Sequence, residues 1–420
     1  MQHKDAVLLK RVDRMGDPTS ISEYVALGGF DGLKKAVATE PETILTELDA
    51  AMLRGRGGAA YPLGKKWRHL YGSKDIPKYI VCNADEGEPG TFKDKVLLSK
   101  DPLSVIEGMV IAGWLFGSHE GFIYTRGEYR EIQKIFQRAL DNAEAEGYLG
   151  KSILGIEGFD YTITIVSGAG AYVCGENSAL LNSVEGKTGR PRVKPPHLAD
   201  VGLYLKPTLV NNVESFACVP VILNIGGEAF CKLGTPQGGG TKLVCLSGHI
   251  KNRGVYEVPL GTSLQKILYA PEYGGGISTG RPLGFCHFGG QSGPLGFPEQ
   301  LEDCVYSYEG LWDKGLAVGS GAIVVMDDSV SVVDYLESVM AFFVHESCGK
   351  CTPCRLGTTR LLEHIQRFQR GAAGKDDMQK LENMLTHITE LSACGLGQSV
   401  SVSVRSGLKY RRSAFEALVG

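Results

Sequence analysis

No stretch of this 420-residue chain approaches about 18 uninterrupted apolar residues, so no membrane span is expected and direct membrane insertion is excluded. The opening "MQHKDAVLLKRVDRMG" has no apolar run that would serve as a secretory signal. Without export, structural disulfides are not expected, and eleven cysteines, an odd number, agree with that. Charge of one sign is missing as well. The 44 basic and 47 acidic residues leave a net charge of −3, which offers nucleic acid no electrostatic footprint. Repeats and low-complexity linkers are absent. These absences leave a cytoplasmic chain of ordinary globular make-up, free or peripheral to a membrane complex on its cytoplasmic side. It is 43% hydrophobic and long enough for about two to four domains.

Glycine, by contrast, is abundant. The 56 glycines are nearly double the usual share of roughly 7%, so backbone must turn sharply or approach something closely in several places. Cysteine is concentrated: "ESCGKCTPCR" carries Cys348, Cys351 and Cys354, and "SACGLGQS" later supplies Cys394. Overlapping Cys-x2-Cys spacings let three thiolates of one loop reach corners of a cubane, with a remote cysteine closing the fourth. Zinc prefers two separate knuckles or Cys/His pairs; a second knuckle is missing, and only His345 and His364 could substitute. Val332, Leu336, Val339, Met340 and Phe343 fall at helical spacing before the loop, and two further helical patterns follow it. The reading is a [4Fe–4S] cluster on a C-terminal helical bundle.

Four polar or glycine-rich loops precede it. "LRGRGGAAYPLGKKW" satisfies the loose G-x-G-x-x-G/A pattern, but the residues before it look helical, so it is not the dinucleotide fingerprint. It can still lay bare backbone against a phosphate or flat ring, with Lys65 and Lys66 supplying charge. "YIVCNADEGEPGTFKDK" places Asn83, Asp85, Glu86 and Glu88 after a short strand from Tyr79 to Cys82, where open α/β sheets bind ligands. A third loop runs from the strand Tyr161 to Val166 through Gly168 and Gly170 to a helix starting near Glu176, a phosphate-friendly arrangement. In the fourth, "KPTLVNNVESF", Asn211 and Asn212 offer neutral amides suited to ring edges or ribityl and ribose hydroxyls.

These loops in this order, followed by the cysteines, resemble the NADH-oxidising flavoprotein subunit of respiratory complex I. They are similar also to the equivalent subunits of NAD(P)-linked hydrogenases and formate dehydrogenases. The likeness runs from about Glu40 to Gly397. It implies an α/β plus α fold: a Rossmann-like FMN domain, a small β-grasp domain of the soluble-ligand-binding (SLBB) type, and the cluster-bearing bundle. The implied boundaries are an N-terminal helical segment with the glycine loop (1–64), the FMN and NAD(P) domain (65–240), the β-grasp domain (241–329) and the bundle (330–420). In the third of these, Cys245, Cys286 and Cys304 are expected to be packed thiols. The resemblance also assigns residues. Gly55, Arg56, Gly57, Gly58 and Lys66 hold FMN with Asn83 and Asp85; Tyr172, Gly175 and Glu176 line the cavity; Asn211 and Asn212 close it. Glu86 and Glu88 take the catalytic positions, where the family handles the nicotinamide nucleotide, and Lys194 joins its binding. Cys348, Cys351, Cys354 and Cys394 match the cluster ligands.

The implied activity moves a hydride between NAD(P)H and FMN and single electrons to or from one [4Fe–4S] cluster. A flavin links the two because a nicotinamide yields two electrons together and the cluster takes one. Cys174, beside Gly175, is not expected to act as a nucleophile, since hydride transfer needs none. Several positions depart from the family pattern: Tyr61, His69 and His197 replace aromatic phenylalanines, and Asn177 replaces an acid near the adenosine ribose. Losing that acid would admit a 2′-phosphate, so NADP(H) stands beside NAD(H) as a substrate. One flavin and one cluster do not complete a circuit, so a small thioredoxin-like [2Fe–2S] subunit and further redox subunits of a hydrogenase, formate dehydrogenase or similar complex are expected. The competing reading is a flavin and iron–sulfur relay or scaffold that no longer turns over nucleotide.

Overall fold

β-Branched and apolar residues from Tyr79 onward form β1 (Tyr79–Ala84), which is buried on both faces, as a central parallel strand must be. In the computed structural model, which describes residues 6–420, β1 pairs in parallel with β2 (Glu120–Thr125) on one side. β2 pairs with β3 (Thr162–Ser167), and β4 (Thr208–Asn212) flanks β1 on the other side, giving the all-parallel order β3-β2-β1-β4. Residues 1–5, the start of the stretch read as lacking an export signal and of the first expected domain, lie outside the described residues.

Strand alternation divides the sheet between two cores. Ile80, Cys82 and Ala84 point into a cluster with Met109, Ile111 and Phe216. That core takes in the helices Pro102–Phe116 and Val213–Ile225, both apolar nearly all round. It also absorbs the N-terminal helices through Leu33, Ile44, Leu48 and Trp67. Val81, Tyr124 and Val210 face the opposite way, into a core shared with Leu336, Phe343, Cys354 and Leu361 of the C-terminal helices. The sheet is therefore the wall between the N-terminal helices and the bundle that presents the cysteines.

The middle of the chain builds a separate five-stranded sheet. β5 (Thr241–Gly248) pairs with β6 (Gly254–Pro259), and β7 (Thr262–Ser263) leads into the helix Leu264–Tyr269. β8 (Leu283–Phe288) and β9 (Leu295–Gly296) form a hairpin, β10 (Val305–Tyr306) joins β7, and β11 (Ala322–Asp327) inserts between β5 and β8. The order is β6-β5-β11-β8-β9, with β11 parallel to β5 and antiparallel to β8. Cys245, Cys286 and Cys304 are buried there and free, as expected.

The helical patterns around the cysteines fold as read. Val332–Glu346 is capped by Ser331, Thr352–Gln369 carries Pro353 in its first turn, and Asp377–Leu391 follows. The long helix Ser401–Glu416 then packs on them. Among the described residues, no helix is long and apolar enough to cross a membrane.

Candidate functional site

β2 and β3 lie to one side of β1 and β4 lies to the other, so the direction of winding reverses between β1 and β4. Open parallel sheets bind ligands in the crevice at the carboxyl ends of two such strands. Those ends are Asn83-Ala84 and Asn211-Asn212, with Asn83 in register with Asn212. The acidic loop after β1, the junction of β4 with the helix Val213–Ile225 and the glycine loop Gly55–Gly58 converge there. A Cβ on Gly57 would stand 3.1 Å from the Asn212 Cβ, and Gly58 has φ +125, so bare backbone is required at this approach.

The crevice holds polar atoms without partners. Asp85 Oδ2 and Asn211 Nδ2 are buried and make no hydrogen bond, an arrangement that costs free energy until a ligand supplies the partner. Burial pushes the Asp85 carboxyl up to about 7, with Arg126 opposing and Glu128 and Glu346 adding to the rise. Lys66 donates to the Val210 carbonyl (3.0 Å) and to Asn211 Oδ1 (3.2 Å), and burial lowers its ammonium to about 8. An unpaired acceptor, an unpaired donor, a lysine without a carboxylate and exposed backbone together fit a ring with hydrogen-bonding edges and an anionic tail. FMN is such a molecule.

Other expected residues serve structure. Arg56 turns its fully buried guanidinium away from the crevice, donating to Tyr308 Oη and to the carbonyls of Gly239 and Thr241. Its backbone N–H is engaged as well, donating to Ser215 Oγ (2.9 Å). Asn212 caps the helix Val213–Ile225 at Glu214 N–H, accepts from Lys93 and donates to Asp94. Behind it Lys93, Lys242 and Arg56 surround Glu214, all fully buried. Burial would raise the Glu214 carboxyl, but these three cations outweigh it and hold the group below its usual range. Glu86 is the nearly buried cap of the helix Lys93–Lys100, accepting from the Asp94 and Lys95 N–H groups and from Tyr129 Oη. Burial and neighbouring Asp94 raise its carboxyl to about 7. Its oxygens thus hold the start of that helix and the ring of Tyr129.

Glu88 differs. Its carboxylate receives Tyr172 Oη and, from the middle sheet, the N–H and hydroxyl of Ser292 at 3.1 Å each. Asn83 donates to the Gly175 carbonyl (2.9 Å) and to Asn177 Oδ1 (3.0 Å), fixing the third loop against the second. Glu176 caps the helix Asn177–Val184 through the Ser178 and Ala179 N–H groups and holds Lys194 at 2.8 Å. Burial would raise its carboxyl, but Lys194 and the capping partners keep it low. His69 pairs with Asp200 at 2.8 Å, and its ring lies 6.1 Å edge-on from His197. Both imidazoles and Tyr61 lie at the rim, all three open to solvent.

Beyond this wall sit the four thiols. Cys351 is the N-cap residue of Thr352–Gln369, Cys354 lies in its first turn, and Cys394 precedes the short helix Gly395–Ser399. Burial pushes the Cys354 thiol up to about 11, with Cys351, Cys394 and Cys348 all close enough to add to the rise. A Cβ on Gly397 would meet Cys354 Cβ at 3.1 Å, so the fourth cysteine reaches the other three only through glycine. Among the described residues no three such ligands close on one ion. His364 points to Asp377 and His345 lies on the helix before the loop, so neither joins the set. Cys174 is buried among Tyr124, Ser183 and Gly189, and burial raises its thiol, as befits a packing residue.

Three contributors were not read from the sequence. Arg126, at the end of β2, donates to the Glu86 carbonyl (2.7 Å); its signal was the strand end in "IYTRGEYR". Glu346 accepts from Tyr172 N–H (3.0 Å) and joins the cluster loop to the crevice. Ser292 lies about two hundred residues from its partner Glu88, with no local signal.

Comparison with known proteins agrees with this geometry. Residues 48–221 match the model of the Nuo51 FMN-binding domain, and residues 334–418 match that of the NADH-ubiquinone oxidoreductase-F iron–sulfur binding region. The chain is 40% identical over 414 residues to an F-type subunit of the NADH-quinone oxidoreductase of Rhizobium meliloti, covering 98% of this chain and 97% of that protein. It is 41% identical over 403 residues to the HndC subunit of the NADP-reducing hydrogenase of Solidesulfovibrio fructosivorans, covering 96% and 81%. A crystal structure of an NAD+-reducing [NiFe]-hydrogenase in the H2-reduced state superposes with a TM-score of 0.86 at 34% identity, covering 99% of this chain and 67% of that one.

Proposed function

This chain belongs to the family of F-type subunits of NADH-quinone oxidoreductases, and from that membership we propose that it oxidises a nicotinamide nucleotide in the crevice between β1 and β4. It is an electron-transfer flavoprotein subunit of a multisubunit oxidoreductase, using FMN and one [4Fe–4S] cluster. When bound, FMN accepts a hydride and releases electrons one at a time. The observation that carries the reading is the pairing of orphaned Asp85 and Asn211 atoms with a three-thiol loop, joined by the remote Cys394 and tied to the same wall through Glu346 and Tyr172.

In this reading the backbone of Gly55–Gly58, Lys66, Asn83, Asp85, Tyr172, Gly175, Glu176, Asn211 and Asn212 holds FMN. Glu88 faces the nucleotide, and Cys348, Cys351, Cys354 and Cys394 hold the cluster. The middle sheet is read as a β-grasp module of the SLBB type, supported by its mixed order with β11 parallel to β5 and by the helix Leu264–Tyr269 that directly follows β7. The reading keeps it as one of four domains, beside the N-terminal segment, the FMN domain and the bundle. The outlet is a thioredoxin-like [2Fe–2S] subunit with further redox subunits, in the cytoplasm.

The rim bears on nucleotide choice. Asn177 carries no charge, yet the nearby Lys194 is already held by Glu176, and Asp200 stands against the His69 ring, each at 2.8 Å. Two carboxylates at that rim oppose a 2′-phosphate, so NADH is the preferred substrate. The test is an anaerobic visible spectrum of the FMN- and iron-loaded protein, titrated separately with NADH and NADPH. Bleaching of the flavin band at lower NADH than NADPH is expected. If NADPH bleaches at the lower concentration, the rim has been misread. If neither nucleotide bleaches a flavin that dithionite reduces, the chain is a relay and the proposal falls.

A further inference from the structure

Neither family match reaches residues 222–333, which contain the middle sheet. We propose that the turn Gly289–Gly293 of that sheet is a positioning element of the nucleotide site, with Ser292 as the positioning residue acting through Glu88. The proposal rests on the reading that Glu88 faces the nucleotide.

The turn is shaped to this one carboxylate. Ser292 gives it two donors, and Gly290 lies against its stem: a Cβ there would stand 2.1 Å from Glu88 Cγ, at a φ of +92 that disfavours any side chain. Ser320 donates to the Gly289 carbonyl (3.0 Å) and bonds Thr91, so the same module also grips the far end of the acidic loop. The turn is itself fixed. His287 is buried on β8; its Nε2 donates to the Gly293 carbonyl (3.0 Å), which leaves Nδ1 to accept from Tyr335 Oη (2.9 Å). Tyr335 lies on the helix Val332–Glu346, whose last residue accepts from Tyr172 N–H, and Tyr172 Oη returns to Glu88.

The contacts thus close a ring: Glu88, Ser292, His287, Tyr335, Glu346, Tyr172 and back to Glu88. A glutamate fixed this way loses its rotamer freedom at folding and not at ligand binding. The module then serves as a brace whose ligand is a loop of its own chain, and the brace stands on the helix that leads into the cluster loop.

The experiment uses the full-length protein loaded with FMN and cluster. Ser292→Ala, Gly290→Ala, Glu88→Gln and the Ser292→Ala/Glu88→Gln double variant are compared in NADH–ferricyanide kinetics and in calorimetric NAD+ binding. Ser292→Ala is expected to raise both KM and the NAD+ Kd about three- to tenfold, with the effect falling on KM and not kcat. Gly290→Ala is expected to move both constants in the same direction. In the double variant, removing the serine adds nothing to Glu88→Gln. A lower Tm for Ser292→Ala and Gly290→Ala with unchanged KM and Kd means simple packing and overturns the brace, while an impaired Glu88→Gln keeps the reading of Glu88. An unimpaired Glu88→Gln overturns both. Additive effects in the double variant overturn the route through Glu88.

Discussion

Lys66 makes FMN binding depend on pH in a way that a well-solvated lysine would not. Its ammonium is buried against the Val210 carbonyl and Asn211 Oδ1 with no carboxylate partner, and burial alone brings it down to about 8. Above pH 7 the FMN phosphate is a dianion, so its own charge is constant. The flavin-free protein must therefore carry a proton on Lys66 to bind, and affinity is lost as pH rises through about 8. A single group at that position gives a Kd about tenfold weaker at pH 9 than at pH 7. The same depression has a consequence for stability. The unfolded chain holds this proton more tightly than the fold between about 8 and 10.5, so the stability of the flavin-free protein gains from this group as pH rises across that window. The assay is quenching of FMN fluorescence by flavin-free protein at pH 7, 8 and 9, for wild type and Lys66→Met. Wild type is expected to weaken about tenfold, and Lys66→Met to bind weakly without the slope. A flat wild-type profile, or the same slope in the variant, refutes the argument.

The other consequences test the remaining parts of the site. Glu214→Gln leaves Lys93, Lys242 and Arg56 buried around a neutral side chain; a loss of about 3–5 kcal/mol in urea denaturation is expected, and a loss under about 1 kcal/mol would show that the cations have other relief. Cys394→Ala is expected to abolish the low-temperature EPR signal of the reduced cluster while NADH still bleaches the flavin; a retained signal would remove Cys394 from the ligand set. Glu86→Gln replaces one accepting oxygen of a helix cap with a donor, so it is expected to lower Tm and leave the nucleotide KM in place. A raised KM with an unchanged Tm would return Glu86 to the catalytic position that the family resemblance gave it.

The sequence by itself determined what depends on short spacings. Two overlapping Cys-x2-Cys steps need one loop, and the apolar period from Val332 to Phe343 needs one helix; both form as local pattern requires. The strand–loop–helix grammar of residues 79–93 and 161–184 likewise marked the ends where ligands bind, because side-chain alternation and glycine placement act within a few residues. The meeting of those ends in one crevice was decided by the β3-β2-β1-β4 order, in which β1 pairs with a β4 more than a hundred residues away.

Tertiary structure also divided residues of the same type between tasks. Glu86 and Glu88 stand two positions apart in one acidic loop, yet the first caps a helix and the second meets Ser292 from another module. Arg56 sits in a glycine loop that reads as ligand-facing, but its guanidinium found three acceptors on the buried side. A charged side chain goes where its donors or acceptors can be satisfied once water is removed. Those partners come from distant parts of the chain, so only the folded structure could choose between the two carboxylates and turn the arginine inward.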